Sequence, residues 1–281
     1  MKRFDFPKDG PPQKLIDTLV KKSKEIRRQI LVMLSAANSG HTGGSLSATD
    51  ILTALYYHVM SHKPDEPHWP ERDRFVLSKG HAAPALYAIL ADCGYFGKEH
   101  LKTLRRFGSL LQGHPCFCTP GVEVCTGSLG HGLSLANGMA LGNRIDEKTS
   151  EIYVLLGDGE CQEGQVWEAA MSAGHYKLGN LTAIVDKNGL QIDGTTKDVM
   201  DIDPIDDKFR AFGWQVLVID GHDFRQLLSA FRFAVQERCC PTAIIANTVK
   251  GKGVSFMENN LEFHGRAPTE EELKWALAEL K

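Results

Sequence analysis

Two side chains that carry oxygen donors, Asp158 and Asn188, each follow a short apolar run of the chain. Asp158 stands in the tripeptide GDG at 157–159, directly after the run 152–156, and Asn188 comes shortly after the run 181–185. Carboxylate and amide oxygens suit a hard cation such as Mg²⁺ or Ca²⁺, which completes its shell with phosphate and water. The glycines beside Asp158 leave room for a bulky anion to approach the backbone. These residues therefore indicate a diphosphate bridged by a metal ion.

The elements around these two residues predict that they meet. Residues 152–156 and 181–185 have the composition of buried strands, and the stretch between them has a helical pattern. In a parallel β-α-β unit the carboxyl ends of both strands open on the same edge of the sheet, where ligands bind. A GDG tripeptide alone is typical of an ordinary turn. Its spacing from an amide oxygen at the next strand end favours a binding site instead.

Histidine and glycine repeatedly lie side by side in this chain. Of 11 histidines, seven are next to a glycine, namely His41, His81, His114, His131, His175, His222 and His264. Such pairs favour turns in which little side-chain cover surrounds the ring. The first three and the last lie in loops before helices or after strands, from which side chains reach a shared pocket. His175 and His222 are interpreted as ordinary turn histidines, because no other candidate residue converges on them.

Helical and strand patterns alternate over the rest of the chain. Helices are predicted over about 13–37, 47–60, 82–93, 98–106, 132–143, 204–212, 224–238 and 269–280, and further strands over 74–78, 214–219 and 242–248. A glycine-rich loop is predicted at 41–45, and Thr269 with Glu272 forms a capping box for the final helix. This alternation predicts an α/β fold with one doubly wound, mainly parallel sheet, in a single domain over residues 1–281.

Composition and charge argue against several other classes of protein. Hydrophobic residues make up 42% of the 281 residues, enough for a buried core. With 32 basic and 35 acidic residues the net charge is −3, which does not favour nucleic acid as a partner. No apolar run reaches the length of a membrane span, and the N-terminal residues MKRFDFPKDG lack the apolar core of a signal peptide. A cytoplasmic protein is therefore predicted.

The cysteines are predicted to be free thiols. There are seven, an odd number, and they are scattered along a chain patterned for helices and strands. Cys116 and Cys118 follow His114 closely, but this spacing without a second ligand pair matches no common zinc site. No zinc site is expected.

The diphosphate motif is similar to that of a known group of enzymes. GDG followed by a distant asparagine resembles the thiamine diphosphate enzymes, and the resemblance implies thiamine diphosphate as the cofactor. It also implies Mg²⁺ as the metal, with Ca²⁺ or Mn²⁺ as substitutes. By the same resemblance the metal ligands are Asp158, the Asn188 side chain and the backbone carbonyl of Leu190.

Five further segments, taken in order, resemble transketolase specifically. They are SGHTGG at 39–44, SKGH at 78–81, GHP at 113–115, TGSLGHG at 126–132 and FHG at 263–265. With GDG and DKNG they cover almost the whole chain. The resemblance implies that His41, His114 and His264 face the sugar. It implies that the residues at the cofactor are His81, Gly127, Ser128, Leu129, Asp158, Gly159, Glu163, Asn188 and His264.

The resemblance also implies individual roles. His41 and His264 would orient the donor sugar and stabilise its developing alkoxide, while His81 and His114 would assist proton movement. Histidine suits these roles because its pKa lies near neutral pH. Glu163 matches a glutamate near the cofactor at a subunit interface, although an acid in the first turn of a helix is also favoured by the helix dipole alone.

Two departures from the transketolase pattern leave the sugar open. Ser128 and His131 stand where full-length transketolases commonly have proline and glutamine, and VKGKG at 249–253 looks more like deoxyxylulose-phosphate synthase or related enzymes. This basic loop is as consistent with a solvated turn as with a phosphate contact. Pentose, sulfo-sugar and branched-sugar substrates are all compatible with the motifs.

The length of the chain adds one more expectation. Transketolase continues into pyrimidine-binding and C-terminal domains, which hold the family's activating glutamate and most residues for the substrate phosphate, and nothing here matches them. The resemblance therefore implies the N-terminal subunit of a split transketolase, with a separate C-terminal subunit in an α2β2 assembly. The reaction would transfer a two-carbon ketol unit from a ketose phosphate to an aldose phosphate, as in the pentose phosphate pathway.

Two alternatives stay open on the sequence. The α subunit of a thiamine diphosphate-dependent 2-oxoacid decarboxylase or dehydrogenase shares the diphosphate motif but not the ordered histidine set. A non-catalytic binding or regulatory module would keep the fold without the activity.

Overall fold

Helices alternate with strands along the part of the chain that the computed structural model describes, which comprises Phe4, Phe6 and residues 10–281. The helices are α1 (Gln13–Ala37), α2 (Thr42–Ser47), α3 (Thr49–Ala54), α4 (Ala83–Cys93), α5 (His131–Ile145), α6 (Gly164–His175), α7 (Thr196–Met200), α8 (Ile205–Ala211), α9 (Phe224–Gln236) and α10 (Glu270–Glu279). The strands are β1 (Arg74–Leu77), β2 (Ile152–Gly157), β3 (Leu181–Lys187), β4 (Leu190–Gln191), β5 (Gly194–Thr195), β6 (Gln215–Asp220) and β7 (Thr242–Asn247).

The predictions about a signal peptide, a membrane span and the cysteines concern features other than these helices and strands. Most of the N-terminal residues used to argue against a signal peptide lie outside the described part of the chain. Between residues 10 and 281, none of the helices combines the length and hydropathy needed to cross a membrane. All seven cysteines are free thiols, as predicted.

Five strands form one parallel sheet in the order β1-β2-β3-β7-β6. Successive strand side chains point to opposite faces, so that Tyr153 enters one core and Val154 the other. Helices α1, α3, α4 and α9 pack in the first core, and α5, α6 and α8 in the second. This arrangement confirms the predicted α/β fold with a doubly wound, mainly parallel sheet.

The central strands are covered on both faces, which explains their sequences. All six residues of β2 are buried, and a strand covered on both sides reads as a continuous apolar run rather than an alternating one. Strand β6 lies at the edge of the sheet, and its residues are mostly half-buried. Because Gly157 at the end of β2 pairs with Asp186 near the end of β3, the loops that follow both strands open on one edge.

The two terminal helices bring further segments toward that edge. Helix α1 buries a stripe that includes Leu19, Ile26 and Ile30, and it ends at Asn38, whose φ of 46° is left-handed. The chain then turns into His41 at the start of α2. Helix α10 begins after Thr269 with the predicted capping box in place. The assignment of residues 1–281 to a single domain stays a prediction.

The structure corrects the sequence interpretation of residues 41–45. The glycine-rich segment is not a loop, because α2 begins at Thr42, one residue after His41. A Cβ on Gly43 would lie 2.9 Å from Cγ of Lys250, and one on Gly44 would lie 3.3 Å from Nε2 of His81. These glycines allow a short helix to pack closely against other side chains. Likewise, residues 190–200, most of them in the polar segment 191–201, form the β4–β5 hairpin and α7, which the sequence pattern did not reveal.

Candidate active site

The loops after β2 and β3 meet at Asp158. One carboxylate oxygen accepts the N–H of Gly159 at 2.8 Å, and the other accepts the N–H of Gly189 at 2.5 Å. Gly189 has a φ of 75°, in the left-handed region that favours glycine, and it directly follows Asn188. The Asp158 side chain is buried, and burial raises the pKa of its carboxyl group. The two loops that carry the predicted oxygen donors are therefore joined by a hydrogen bond.

Leu190, the third predicted metal ligand, belongs to the same loop system. Its N–H donates to the side-chain oxygen of Asn188 at 3.2 Å, and its carbonyl oxygen accepts from Nζ of Lys250 at 2.8 Å. In the described residues, no group of three His, Cys, Asp or Glu side chains is placed to hold a metal ion. A cation here would depend on one carboxylate, one amide, one backbone carbonyl and further ligands from outside the chain.

Three of the four predicted histidines form a triangle of rings. The ring centroids of His41 and His81 are 5.1 Å apart, those of His41 and His264 5.6 Å, and those of His81 and His264 5.7 Å. They come from the start of α2, from the turn after β1 and from the segment before α10. The fold thus brings together residues that are far apart in the sequence.

Burial keeps these rings neutral. It lowers the pKa of His41 and of His264 to about 4, helped next by the positive charge of Arg105 at His41 and of Lys250 at His264. Burial, followed by the charge of Lys79, also holds the pKa of His81 well below its usual range. A neutral imidazole has one donor and one acceptor nitrogen, so each ring can both give and take a hydrogen bond near pH 7.

The fourth histidine, His114, packs against the predicted cofactor loop at 126–132. A Cβ on Gly127 would lie 3.3 Å from Cγ of the His114 ring. The N–H of Thr126 donates to the carbonyl of Pro115 at 3.3 Å, so the two segments run side by side. His114 therefore lies beside Gly127, whereas the other three rings contact each other.

Glu160 organises three loops of the site, and the sequence analysis did not single it out. Its carboxylate accepts the hydroxyl of Ser78 and the N–H groups of Gly130 at 2.9 Å and Gly157 at 3.0 Å. Burial raises the pKa of this carboxyl group. Through these bonds Glu160 joins the end of β1, the end of β2 and the loop that leads into α5. Its position directly after GDG was the only signal in the sequence.

Comparisons with known proteins decide the family. Residues 20–280 match the family described as "Transketolase, thiamine diphosphate binding domain". The chain belongs to the transketolase family. It is 44% identical to one of the subunits of an apulose-4-phosphate transketolase from Phocaeicola vulgatus, and the match covers 94% of each chain. It is 49% identical to a 6-deoxy-6-sulfo-D-fructose transketolase subunit from Clostridium sp., over 91% of this chain and 94% of the relative.

Full-length transketolases match this chain over part of their length. Human transketolase is 41% identical, over 91% of this chain but only 41% of the human protein. The crystal structure of transketolase from Campylobacter jejuni superimposes with a TM-score of 0.89 at 36% identity, covering 94% of this chain and 43% of that one. The chain therefore corresponds to the thiamine diphosphate-binding domain of a full-length transketolase.

Several polar atoms of this transketolase site lack a partner within the chain. Among the described residues, Nδ1 of His41, Nδ1 of His264 and Oγ1 of Thr126 are buried without a hydrogen bond. Buried polar atoms in native proteins normally have one, so these atoms fit a site completed by a bound polar molecule. Beside Thr126, glycine keeps space open, since a Cβ on Gly80 would lie 2.8 Å from Oγ1 of Thr126. The residues present therefore fit thiamine diphosphate.

Two buried lysines supply positive charge to the site, and neither was among the predicted site residues. Lys79 is paired with the buried Asp186 at 2.5 Å. Lys250 is 3% exposed, and burial, followed by the charge of Lys79, lowers its pKa to about 8. The interpretation of 249–253 as a solvated turn is therefore wrong for Lys250. The signals were present in SKGH and VKGKG, but the sequence does not show which lysines are buried.

The remaining candidates lie at the margin of the site or outside it. Glu163 is exposed and precedes α6, and its Cβ would be 2.8 Å from a Cβ on Gly130. Gly159 faces Gln191, and Ser128, Leu129, His131 and His175 are exposed. His222 is not an ordinary turn histidine, because both of its ring nitrogens have hydrogen-bond partners.

Proposed function

We propose that this chain is the N-terminal, cofactor-binding subunit of a split transketolase, transferring a two-carbon ketol unit from a ketose phosphate to an aldose phosphate. The triangle of neutral rings formed by His41, His81 and His264 carries the proposal. This triangle lies in a chain of the transketolase family. After burial, the charge of Lys250 is the next cause that lowers the pKa of His264, and the Lys250 ammonium also donates to the carbonyl of Leu190, which follows Asn188 in the same loop. Membership of that family also favours this function over that of a 2-oxoacid decarboxylase.

The residues for the cofactor follow from charge and donor type. Asp158, the Asn188 side chain and the Leu190 carbonyl would hold Mg²⁺ against the diphosphate, because oxygen donors suit a hard cation that keeps phosphate ligands. Lys250 would balance part of the diphosphate charge, whereas the charge of Lys79 is already balanced by Asp186. When bound, thiamine diphosphate supplies the carbon nucleophile that carries the ketol unit.

The chain's own histidines would bind and orient the sugar. His41 and His264 have buried Nδ1 atoms without partners, and as neutral rings they can hydrogen-bond to sugar hydroxyls in either direction. His81, the third ring of the triangle, would accept or donate a proton without carrying charge at rest. His114, beside Gly127, would contact the sugar from the cofactor loop.

A second subunit is part of the proposal. Relatives that this chain covers almost completely are named transketolase subunits, while the chain spans 41% of human transketolase. We infer that the remaining parts are supplied by a separate C-terminal subunit, in an α2β2 assembly with Glu163 near the contact. The relatives named for apulose 4-phosphate and for 6-deoxy-6-sulfo-D-fructose make both sugars candidate donors beside ketopentose phosphates.

The test is ketol transfer to an aldose phosphate, with thiamine diphosphate and Mg²⁺ present. Three samples are assayed: the chain by itself, a candidate C-terminal subunit by itself, and the mixture of the two. Donors are a ketopentose phosphate, apulose 4-phosphate and 6-deoxy-6-sulfo-D-fructose, with pyruvate as the test for a 2-oxoacid enzyme. Transfer only in the mixture is expected. Pyruvate turnover without ketol transfer, or a folded, cofactor-loaded complex inactive with every donor, would overturn the proposal.

A further inference from the structure

His222 connects two elements outside the triangle of histidines. It follows β6, and its Nδ1 lies 2.7 Å from a carboxylate oxygen of Asp50 on α3. Its Nε2 accepts the backbone N–H of Val249, which follows β7, at 2.8 Å. Because a backbone N–H can only donate, Nε2 must be the unprotonated nitrogen and Nδ1 must carry the proton. The ring therefore donates to Asp50 and accepts from Val249.

Asp50 fixes this tautomer of His222. Its side chain is buried, and its two oxygens accept from the Arg27 guanidinium of α1 at 2.9 and 2.7 Å. Burial alone would raise the pKa of Asp50, but Arg27 and His222 hold it well below its usual range. An ionised carboxylate is an acceptor only, so in the neutral ring the Nδ1 proton faces Asp50 and Nε2 is the accepting nitrogen.

Val249 lies next to Lys250, whose ammonium reaches the Leu190 carbonyl. Beyond Val249 the segment is held by backbone bonds: the N–H of Asn259 donates to the Lys250 carbonyl at 2.8 Å, and the N–H of Gly251 donates to the Gly43 carbonyl at 3.1 Å. At Val249 itself, the backbone N–H is held by the side chain of His222. His222 is thus the partner of the N–H directly before Lys250, while the N–H of Thr248 donates to the carbonyl of Lys187 at 3.0 Å.

The sheet sets the position of that imidazole relative to the segment. The N–H of Gly221 donates to the carbonyl of Asn247, the last residue of β7, at 2.8 Å. A Cβ on Gly221 would lie 2.5 Å from Cγ2 of Thr248. The turn that carries His222 is therefore packed directly against the end of β7 and against Thr248, the residue before Val249.

We propose that His222 is a positioning residue, which holds the Val249–Lys250 segment so that the Lys250 ammonium lies at the anionic end of the cofactor. The inference rests on the proposed function, in which Lys250 lies beside the diphosphate. His222 touches neither cofactor nor substrate and acts through Lys250. Its effect is thus expected on cofactor binding, and it should disappear when Lys250 is replaced by a neutral residue.

Two substitutions separate the accepting nitrogen from the bulk of the ring. In His222→Gln the side-chain oxygen can accept the Val249 N–H, whereas His222→Phe fills the space without an acceptor. The measurement is the affinity for thiamine diphosphate with Mg²⁺, by calorimetry on the assembled complex. H222F should weaken binding about tenfold, the scale of one lost hydrogen bond, and H222Q should recover most of it. If H222Q binds as weakly as H222F while both melt at the wild-type temperature, the proposal is wrong.

Coupling to Lys250 is the second arm of the test. In a Lys250→Met background, H222F should weaken cofactor binding by less than about twofold, because the group it positions has been removed. Equal losses in the wild-type and K250M backgrounds would show that His222 acts by another route. His68→Phe, in the loop before β1 at the opposite edge of the sheet, is the matched control and should leave the affinity unchanged.

Hydrogen exchange at the Val249 amide tests the contact without any cofactor. The full chain is compared with H222F, H222Q and K250M, and exchange at Val249 should accelerate only in H222F. Protection that is the same in H222F as in the wild type would overturn the proposal. If the wild-type complex bound no thiamine diphosphate, the proposed function would fail, and the exchange data would still decide whether His222 holds the segment.

Discussion

The ammonium group of Lys250 donates a hydrogen bond to the carbonyl oxygen of Leu190 at 2.8 Å. A buried cation therefore already contacts one of the three oxygens proposed to hold the metal ion. A carbonyl oxygen has two lone pairs, so Leu190 can accept from Lys250 and still offer an oxygen lone pair to Mg²⁺. The same contact brings the charge of Lys250 close to the loop of Asn188. A diphosphate bound there would need both the Lys250 ammonium and Mg²⁺.

Asp158→Asn is expected to weaken metal-dependent cofactor binding. The substitution removes the only carboxylate among the proposed ligands and leaves an amide N–H₂ facing the N–H of Gly159 or Gly189. Affinity for thiamine diphosphate in the presence of Mg²⁺ should fall by about 100-fold or more, since even outer-shell changes at metal sites cost about 10- to 100-fold. Calorimetry with and without EDTA measures this affinity and its dependence on the metal ion. Asp146→Asn on the exposed end of α5 is the control, and equal affinities in both variants would reject the ligand assignment.

His41→Ala is expected to slow turnover more than it weakens cofactor binding. Its ring centroid lies 5.1 Å from that of His81 and 5.6 Å from that of His264, and no hydrogen bond joins His41 to Asp158 in the described residues. Loss of a hydrogen-bonding group that stabilises a developing alkoxide typically costs about 10²- to 10³-fold in rate. Steady-state ketol transfer with the assembled complex provides the measurement, and His175→Ala is the matched turn histidine. Unchanged turnover and cofactor affinity in H41A would remove the assignment.

The chain should lose stability as the pH falls from about 6.5 toward 4. His41 and His264 have pKa values of about 4 in the folded chain, against the ordinary value of 6.5 when unfolded. In this window the unfolded state binds more protons, so the stability that is present above pH 6.5 is lost as the pH approaches 4. Urea unfolding at pH 7 and 4.5 measures the loss. A His41→Gln, His264→Gln double variant should show a smaller difference between the two pH values; an identical difference would contradict the neutral-ring description.

Lys79→Met is expected to destabilise the chain by about 3–5 kcal/mol, because it leaves Asp186 as an unpaired buried carboxylate. Both side chains of this pair are almost completely buried, at 2% and 0% exposure. Lys187→Met breaks an exposed ion pair with Asp203 nearby and should cost less than about 1 kcal/mol. Urea denaturation measures the free energy of unfolding of the wild type and of each variant, and the two losses are compared. Similar losses of stability would mean that burial of the Lys79–Asp186 pair is not what matters.

The strand–helix–strand unit around Asp158 and Asn188 could be predicted from the sequence because its signals are local. Apolar runs for β2 and β3, the glycines of GDG and the capping box of Thr269 and Glu272 each act over a few residues. The same holds for the parallel sheet, whose buried strands read as continuous apolar stretches. Errors occurred where packing overrode local propensity. Glycines at 43 and 44 indicate a loop, yet they lie in α2, where a Cβ on either would crowd Lys250 or His81.

By itself, the sequence of this protein determined its family, its fold class and the residue types available for chemistry, since these depend on ordered motifs and periodicity. Only the tertiary structure decided which of those residues act together. It brought His41, His81 and His264 within 5.7 Å of one another, buried Lys250 beside Leu190, and turned His222 from a turn residue into a link between Asp50 and Val249. The physical reason is that burial and hydrogen-bond partners depend on contacts between segments far apart in the chain, which local patterns do not encode.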